Sequence, residues 1–216
     1  YAAESHRRAA AAWNEGRFAD EVVPVPVVQP RGGETVFERD EGVRPGTTAE
    51  KLAGLRVIAK DGTVTAGNAA QQNDAAAACL VVAEDRLEAL GLDPAAFLVG
   101  WSAVGCDPSR MGIGPVPAIA KVQRKTGLSL DQMDLVEINE AFAVQVLACM
   151  RAMHWERHDI LNVNGSGLSL GHPIGATGVR IMTTLLHELK RRGGHYGLES
   201  MCIGGGQGMA AVFERA

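Results

Sequence analysis

From Asp93 onward the chain switches repeatedly between short β-branched or aromatic runs and longer amphipathic ones. AFLVGWSAVG (96–105), DLVEIN (134–139), DILNVN (159–164), YGLESMCI (196–203) and MAAVFER (209–215) read as strands. Between them GPVPAIAKVQRKTG (114–127), EAFAVQVLACMRAM (140–153) and ATGVRIMTTLLHELKRRGG (176–194) read as helices. The last should turn Val179, Met182, Leu185, Leu186 and Leu189 to one side. Strands alternating with helices predict an α/β fold, a sheet covered by helices on both faces. The first 92 residues are less regular. A helix is expected over 1–17, rich in Ala, Arg and Glu and stopping near Gly16. EVVPVPVVQP (21–30) is apolar but carries prolines, which suits an edge strand. Loops with a short helix at TTAEKLAGL follow, then a short β-type run in GTVTAGN (62–68). NDAAAACLVVAEDRLEALGL (73–92) predicts a strong helix, opened by Asn73 or Asp74 and closed before Gly91.

Composition narrows the class without changing this layout. The 216 residues carry a net charge of -4 and are 46% hydrophobic, enough for one large core or two modest ones. A nucleic-acid groove needs a basic face, which a slightly acidic chain does not suggest. No apolar run approaches the ~20 residues of a membrane span, and no signal peptide is visible. Cys79, Cys106, Cys149 and Cys202 are scattered without CxxC spacing, so structural zinc and a disulfide scaffold are not expected and reduced thiols in a cytoplasm are. The chain begins at Tyr1 inside a helical pattern, which raises the expectation that it is part of a longer protein.

Ligands of such folds meet the loops at the carboxyl ends of strands. Three stretches there carry chemistry: INEAFA (138–143), NVNGSGLSLGHPIGATG (162–178) and MCIGGGQG (201–208). Glycines let backbone N–H groups approach a ligand where a Cβ would clash, and free N–H groups facing a developing negative charge form an oxyanion hole worth about 2.7–4 kcal/mol per donor. His172 and Cys202 could supply a hydrogen-bond donor and a proton-transfer thiol, with the thiol's pKa depressed by the donor-rich loop, and Asn139 an uncharged amide. Each also has a plainer reading. Asn139 fits a cap on a helix starting at Glu140, His172 a turn before proline, and Cys202 a small buried apolar residue. GSGLSLG does not match GxGxxG and no GK[ST] follows, so neither dinucleotide nor P-loop binding is expected. His154 and His158 in HWERH lack metal-site order and read as a solvated face. Cys106 reads as a turn residue, Cys79 and Cys149 as core, and His6, His187 and His195 as surface.

Taken together, NEAFA, GHPIGATG and CIGGGQG, in that order and on those elements, resemble the thiolase family. GIGPVPAI, DLVEINEAFA, NVNGSG and MAAVFER strengthen the resemblance, which runs through all 216 residues. It implies a layered thiolase-like fold with a mixed sheet covered by helices. TVTAGNAAQQNDAAAA resembles the end of the family's first half, and residues 1–68 most of its coenzyme A-covering loop domain. The division expected is therefore 1–92 for the end of the N-terminal half with the loop domain, and 93–216 for the C-terminal domain.

The resemblance implies an acyl-CoA C-acyltransferase, which cleaves 3-ketoacyl-CoA with coenzyme A or runs the reverse condensation. His172 becomes the activating base, Cys202 the proton carrier at the acetyl methyl or leaving thiol, Asn139 the holder of an oxyanion-hole water, and the Gly204 N–H a second donor. Arg44 in DEGVRPGTT and Ala70 in GNAAQQND take positions that contact coenzyme A in relatives, although this chain has Ala where Ser is common and Gln71 where Gly is common. No metal or redox cofactor is implied; coenzyme A is a substrate. The family's nucleophile lies in a Cys-x-Ser type motif that does not occur here. The chain is therefore expected to lack the nucleophile-bearing N-terminal half, to need that half for activity, and to form a homodimer or homotetramer. The alternatives are a non-catalytic subunit that binds acyl-CoA or lipid, and a ketosynthase-type condensing enzyme, in which a second His commonly stands where this chain has Asn139.

Overall fold

A computed structural model describes all residues, 1–216. Helix α1 (Ala2–Asn14) buries Ala2, Ser5, His6, Ala9, Ala10 and Ala12, the three-to-four spacing of one helix face. That face packs on Phe18, Leu168 and Leu170. His6 is therefore buried, contrary to the surface expected; its Nδ1 accepts the backbone N–H of Arg44 at 3.2 Å. Strand β1 (Val25–Val28) pairs antiparallel with β2 (Glu34–Phe37) in a wholly exposed hairpin, where Pro26 at an edge loses no buried ladder bond. Helix α2 (Ala49–Ala53) is capped by the Thr48 hydroxyl, which accepts from the Lys51 N–H at 3.3 Å.

The helix expected over 73–92 is largely absent. Residues 70–83 run without helix or strand, and only a 3₁₀ turn (Glu84–Arg86) and the one-turn α3 (Leu87–Leu90) form, closed by left-handed Gly91. Alanine-rich helices still depend on packing an apolar face for most of their stability. Here Leu80 is 77% and Val81 87% exposed, so no such packing exists. Cys79 is exposed for the same reason rather than in a core.

The remaining elements build the body. They are β3 (Ala96–Gly105), α4 (Pro115–Thr126), β4 (Leu135–Ile138), α5 (Ala143–Ala152), the short α6 (Gly167–Leu170), α7 (Thr177–Arg192), β5 (Tyr196–Ile203) and β6 (Gln207–Arg215). One sheet runs in the order β3-β6-β5-β4, with β4 and β5 parallel and the other pairs antiparallel. The two-residue alternation sorts side chains to opposite faces. Val136, Ile138, Leu198, Ala210 and Val212 join α4 and α5 residues in the main core, while Leu135 and Phe213 meet Leu185 and Leu189 of α7 on the other face. The buried stripe of α7 is Ile181, Thr184, Leu185, Glu188 and Leu189, rotated from the one the pattern suggested. DILNVN makes only isolated bridges, Val136 to Leu161 and Val163 to Gly165. Asn162, at φ 47°, replaces further ladder bonds with its own amide, which donates to the Ile138 carbonyl at 2.8 Å and accepts the Ile138 N–H at 2.9 Å. No helix is long and apolar enough to cross a membrane.

Candidate active site

Strand β4 stops at Ile138, and the next residue, Asn139, donates its backbone N–H to the Ser200 carbonyl of β5 at 2.9 Å. Helix α5 begins only at Ala143, after Phe142 and without a side-chain cap. Asn139 is thus no helix cap. It is fully buried in the loop between β4 and α5, and its amide nitrogen lies 3.3 Å from Nδ1 and 3.4 Å from Nε2 of His172. The adjacent Glu140 holds this loop in place. Its buried carboxylate accepts from Ser5 (2.7 Å), Tyr1 (3.0 Å), the Leu168 N–H (3.1 Å) and Asn162 (3.3 Å). Burial outweighs these bonds and raises the Glu140 pKa.

His172 sits between α6 and α7. Its backbone N–H donates to the Gln71 carbonyl at 3.1 Å, and Nδ1 lies 2.8 Å from the Thr177 hydroxyl. Arg180 donates to the Gly171 carbonyl at 3.3 Å. Burial first, and the Arg180 charge second, lower the His172 pKa, which favours a neutral imidazole. Gly171 adopts φ 100°, ψ 162°, a region essentially reserved for glycine, and a Cβ there would strike the Asn73 carboxamide.

Cys202 is the second-last residue of β5, two positions beyond the Ser200 that holds Asn139, and is 7% exposed. Side chains two apart on a strand share a face, so β4 and β5 deliver Asn139 and Cys202 to one end of the sheet. Met201 touches the first turn of α7 at Gly178. His172 and Cys202 share no hydrogen bond with each other. Burial, with Cys106 adding to it, raises the Cys202 pKa, so the expected depression of the thiol is reversed. The donor-rich loop does not reach the sulfur strongly enough to offset its loss of water.

Gly204 lies beyond β5, exposed, with open space where a Cβ would stand and with its N–H in no hydrogen bond. The Ala70 N–H donates to the Ala141 carbonyl at 2.9 Å, so the segment before Asn73 lies along the Asn139 loop. The Gln71 side chain donates to the Gly42 carbonyl (3.0 Å) and the Leu168 carbonyl (3.2 Å), filling the space a glycine leaves. The Arg44 guanidinium is exposed and makes no hydrogen bond or ion pair. No group of His, Cys, Asp and Glu side chains is arranged to hold a metal ion, and His154 and His158 are exposed.

Comparisons with known proteins show the family. The family model described as "Thiolase, C-terminal domain" matches residues 92–215, and "Thiolase, N-terminal domain" matches residues 1–85. The chain belongs to the thiolase family. An acetyl-CoA acetyltransferase of Paracoccus denitrificans is 49% identical over 216 residues, covering 100% of this chain and 55% of that protein. The human mitochondrial 3-ketoacyl-CoA thiolase is 49% identical over 215 residues, covering 99% and 54%. Among solved structures, the Bacillus anthracis acetyl-CoA acetyltransferase matches with TM-score 0.94 at 48% identity, over 100% of this chain and 54% of that one. The human mitochondrial 3-ketoacyl-CoA thiolase in complex with CoA matches with TM-score 0.90 at 46% identity, over 100% and 53%. The chain spans about half the length of the curated relatives it matches. These relatives are thiolase-type transferases.

The N-terminal match overturns one expectation. Residues 1–85 correspond to the family's N-terminal domain, so the thiolase chain is not a C-terminal piece missing that domain, and a requirement for a separately supplied N-terminal half does not stand. The missing Cys-x-Ser motif misled the sequence reading, because lack of a motif is not lack of a domain. The one cysteine in the matched N-terminal residues is Cys79, which is exposed. Residues Asn73 to Ala77, just before it, line a pocket with Pro173 to Ala176, beside His172. Sequence reasoning also missed Glu140, Gln71 and Thr177. An acid inside NEAFA and a hydroxyl five positions after the histidine were the signals that could have found them.

Proposed function

We propose that the protein is an acyl-CoA C-acyltransferase that exchanges a carbon–carbon bond and a thioester bond, cleaving 3-ketoacyl-CoA with coenzyme A or condensing two acyl-CoA molecules in reverse. In the cleaving direction, neutral His172 takes the proton of an attacking thiol as the sulfur bonds to the 3-keto carbon. The bond between C2 and C3 then breaks, and the electron pair passes to the acetyl-CoA fragment as an enolate. The Cys202 thiol protonates that carbon. In the condensing direction the Cys202 thiolate removes the same proton. The Asn139 amide and the free Gly204 N–H stabilise oxygen atoms that gain negative charge, a role requiring donors already in place. Opposed shifts, His172 downward and Cys202 upward, suit a base and an acid working at one pH. For coenzyme A, Ala70 has its N–H engaged and offers only its methyl group and carbonyl to the pantetheine arm, while the free Arg44 guanidinium suits a phosphate.

The observation that carries this reading is the Asn139 amide against the His172 ring at the strand end that also presents Cys202. A pure acyl-CoA binder has no use for that grouping. The test is thiolysis of acetoacetyl-CoA by the wild-type protein and by His172→Gln and Cys202→Ala variants whose circular dichroism matches wild type. The expected result is wild-type cleavage, with a loss of about 10²–10⁴-fold in each variant. Wild-type turnover in either folded variant would refute the assignment. Binding of acyl-CoA with no turnover in the wild-type protein would favour the binding subunit instead.

A further inference from the structure

The His172 imidazole has two candidate partners, and only one of them distinguishes its nitrogens. The Asn139 amide nitrogen is almost equidistant from both, at 3.3 and 3.4 Å, and so selects neither. The Thr177 hydroxyl faces Nδ1 alone, at 2.8 Å. Thr177 is fully buried, which leaves no water to take over its role. A hydroxyl has one proton and two lone pairs. Thr177 Oγ1 also lies 2.8 Å from the Pro173 carbonyl, four residues back, the usual acceptor for a threonine in the first turn of a helix. A carbonyl cannot donate, so the Thr177 proton points to Pro173. The lone pair left over faces Nδ1, which must then carry the imidazole proton.

We infer that Thr177 is a positioning residue: it fixes His172 as the Nδ1–H tautomer and leaves the Nε2 lone pair free to take a proton. The opposite tautomer would require Thr177 to turn its proton from Pro173 to Nδ1 and leave the Pro173 carbonyl without that bond. The inference rests on the reading of His172 as a base, because a base needs one unprotonated nitrogen facing its substrate. It adds a chemical requirement at position 177: a hydroxyl, with serine an acceptable substitute and valine, equal in shape, not.

The experiment is nitrogen-15 NMR of the protein labelled at the histidine ring nitrogens, at neutral pH, with His172 assigned by its loss in His172→Gln. The wild-type protein should show a protonated Nδ1 and an unprotonated Nε2. Thr177→Val should lose that pattern and reduce kcat by about tenfold or more with little change in KM, the mark of an interaction used in the transition state. Thr177→Ser should restore both. A wild-type His172 protonated at Nε2, or a Thr177→Val spectrum identical to wild type, would overturn the inference even if Thr177→Val fails to turn over. The two readings fail separately. Full activity in His172→Gln would sink the base assignment and leave the tautomer result standing, whereas an unchanged Thr177→Val spectrum would sink only the role of Thr177.

Discussion

Replacing Gly171 with alanine should reduce stability and displace His172, the proposed base, at the same time. Gly171 precedes His172 and holds φ 100°, ψ 162°. Side-chain-bearing residues pay roughly 1–3 kcal/mol to enter such regions. The new methyl group would also meet the Asn73 carboxamide, whose Nδ2 lies 3.1 Å from the Cβ position and whose Oδ1 is closer. The collision adds to the backbone strain unless residues 71–74 move, and those residues hold His172, since the Gln71 carbonyl accepts its N–H at 3.1 Å. For a chain of this size each kcal/mol lowers Tm by about 2–4 °C, so a drop of about 2–12 °C is expected. A shift of the imidazole by about 1 Å can itself cost about 10²-fold in rate. Gly175, in the same loop, is the control. It has no positive φ and nothing within 4 Å of the place a methyl group would take, so Gly175→Ala should change stability by no more than about 0.5 kcal/mol. Thermal melts by circular dichroism and thiolysis rates read both effects. A Gly171→Ala protein with the Tm and turnover of wild type would show that glycine density here has no conformational purpose.

Two further outcomes follow from buried titratable groups. Burial raises the Glu199 carboxyl to about 8, with Arg180 only partly opposing it, and one carboxylate oxygen has no partner. The folded protein therefore holds this proton more tightly than the unfolded chain. Its stability contribution is greatest below the unfolded pKa near 4.5, falls as pH rises, and levels off above about 8. Glu199→Gln should gain on wild type by about 1 kcal/mol per pH unit across that window in urea titrations; parallel stability curves would contradict the buried-carboxyl account. For the thiols, iodoacetamide followed by peptide mass mapping should modify exposed Cys79 first and Cys149 last, because Cys149 is buried and raised to about 11. Labelling of Cys202 ahead of Cys79 would show that the sulfur at the sheet end is a ready thiolate after all.

The body of the fold was readable wherever one period dominated. YGLESMCI and MAAVFER form β5 and most of β6 because their alternating residues face two different helix layers, AFLVGWSAVG forms the edge strand β3 with Leu98 and Trp101 left exposed, and the three long helices after Asp93 form close to where their apolar spacing lies. The failures have local causes. Residues 73–83 have helix-favouring composition but no surface on which Leu80 and Val81 pack. ETVF forms β2 as half of an exposed hairpin, which leaves no burial pattern to detect. At the candidate site, Asn139 and Cys202 stand out in the sequence as reactive residue types at strand ends, and His172 as the one histidine in a glycine-rich stretch. Glu140 and Thr177 do not, since their importance comes from partners distant in sequence or from a single shared proton. The direction of the Cys202 shift was misjudged because glycine-rich sequence suggests donors, while the folded strand supplies mainly burial.

The central claim is that the loops ending β4 and preceding α7 form one thioester site, in which Asn139 and His172 act as a unit. A double-mutant cycle on kcat/KM for acetoacetyl-CoA thiolysis, using Asn139→Ala, His172→Gln and the double variant, measures that coupling directly. The account predicts strong non-additivity, with the double variant hardly slower than the slower single variant. Losses that multiply in full, as for two independent residues, would contradict it.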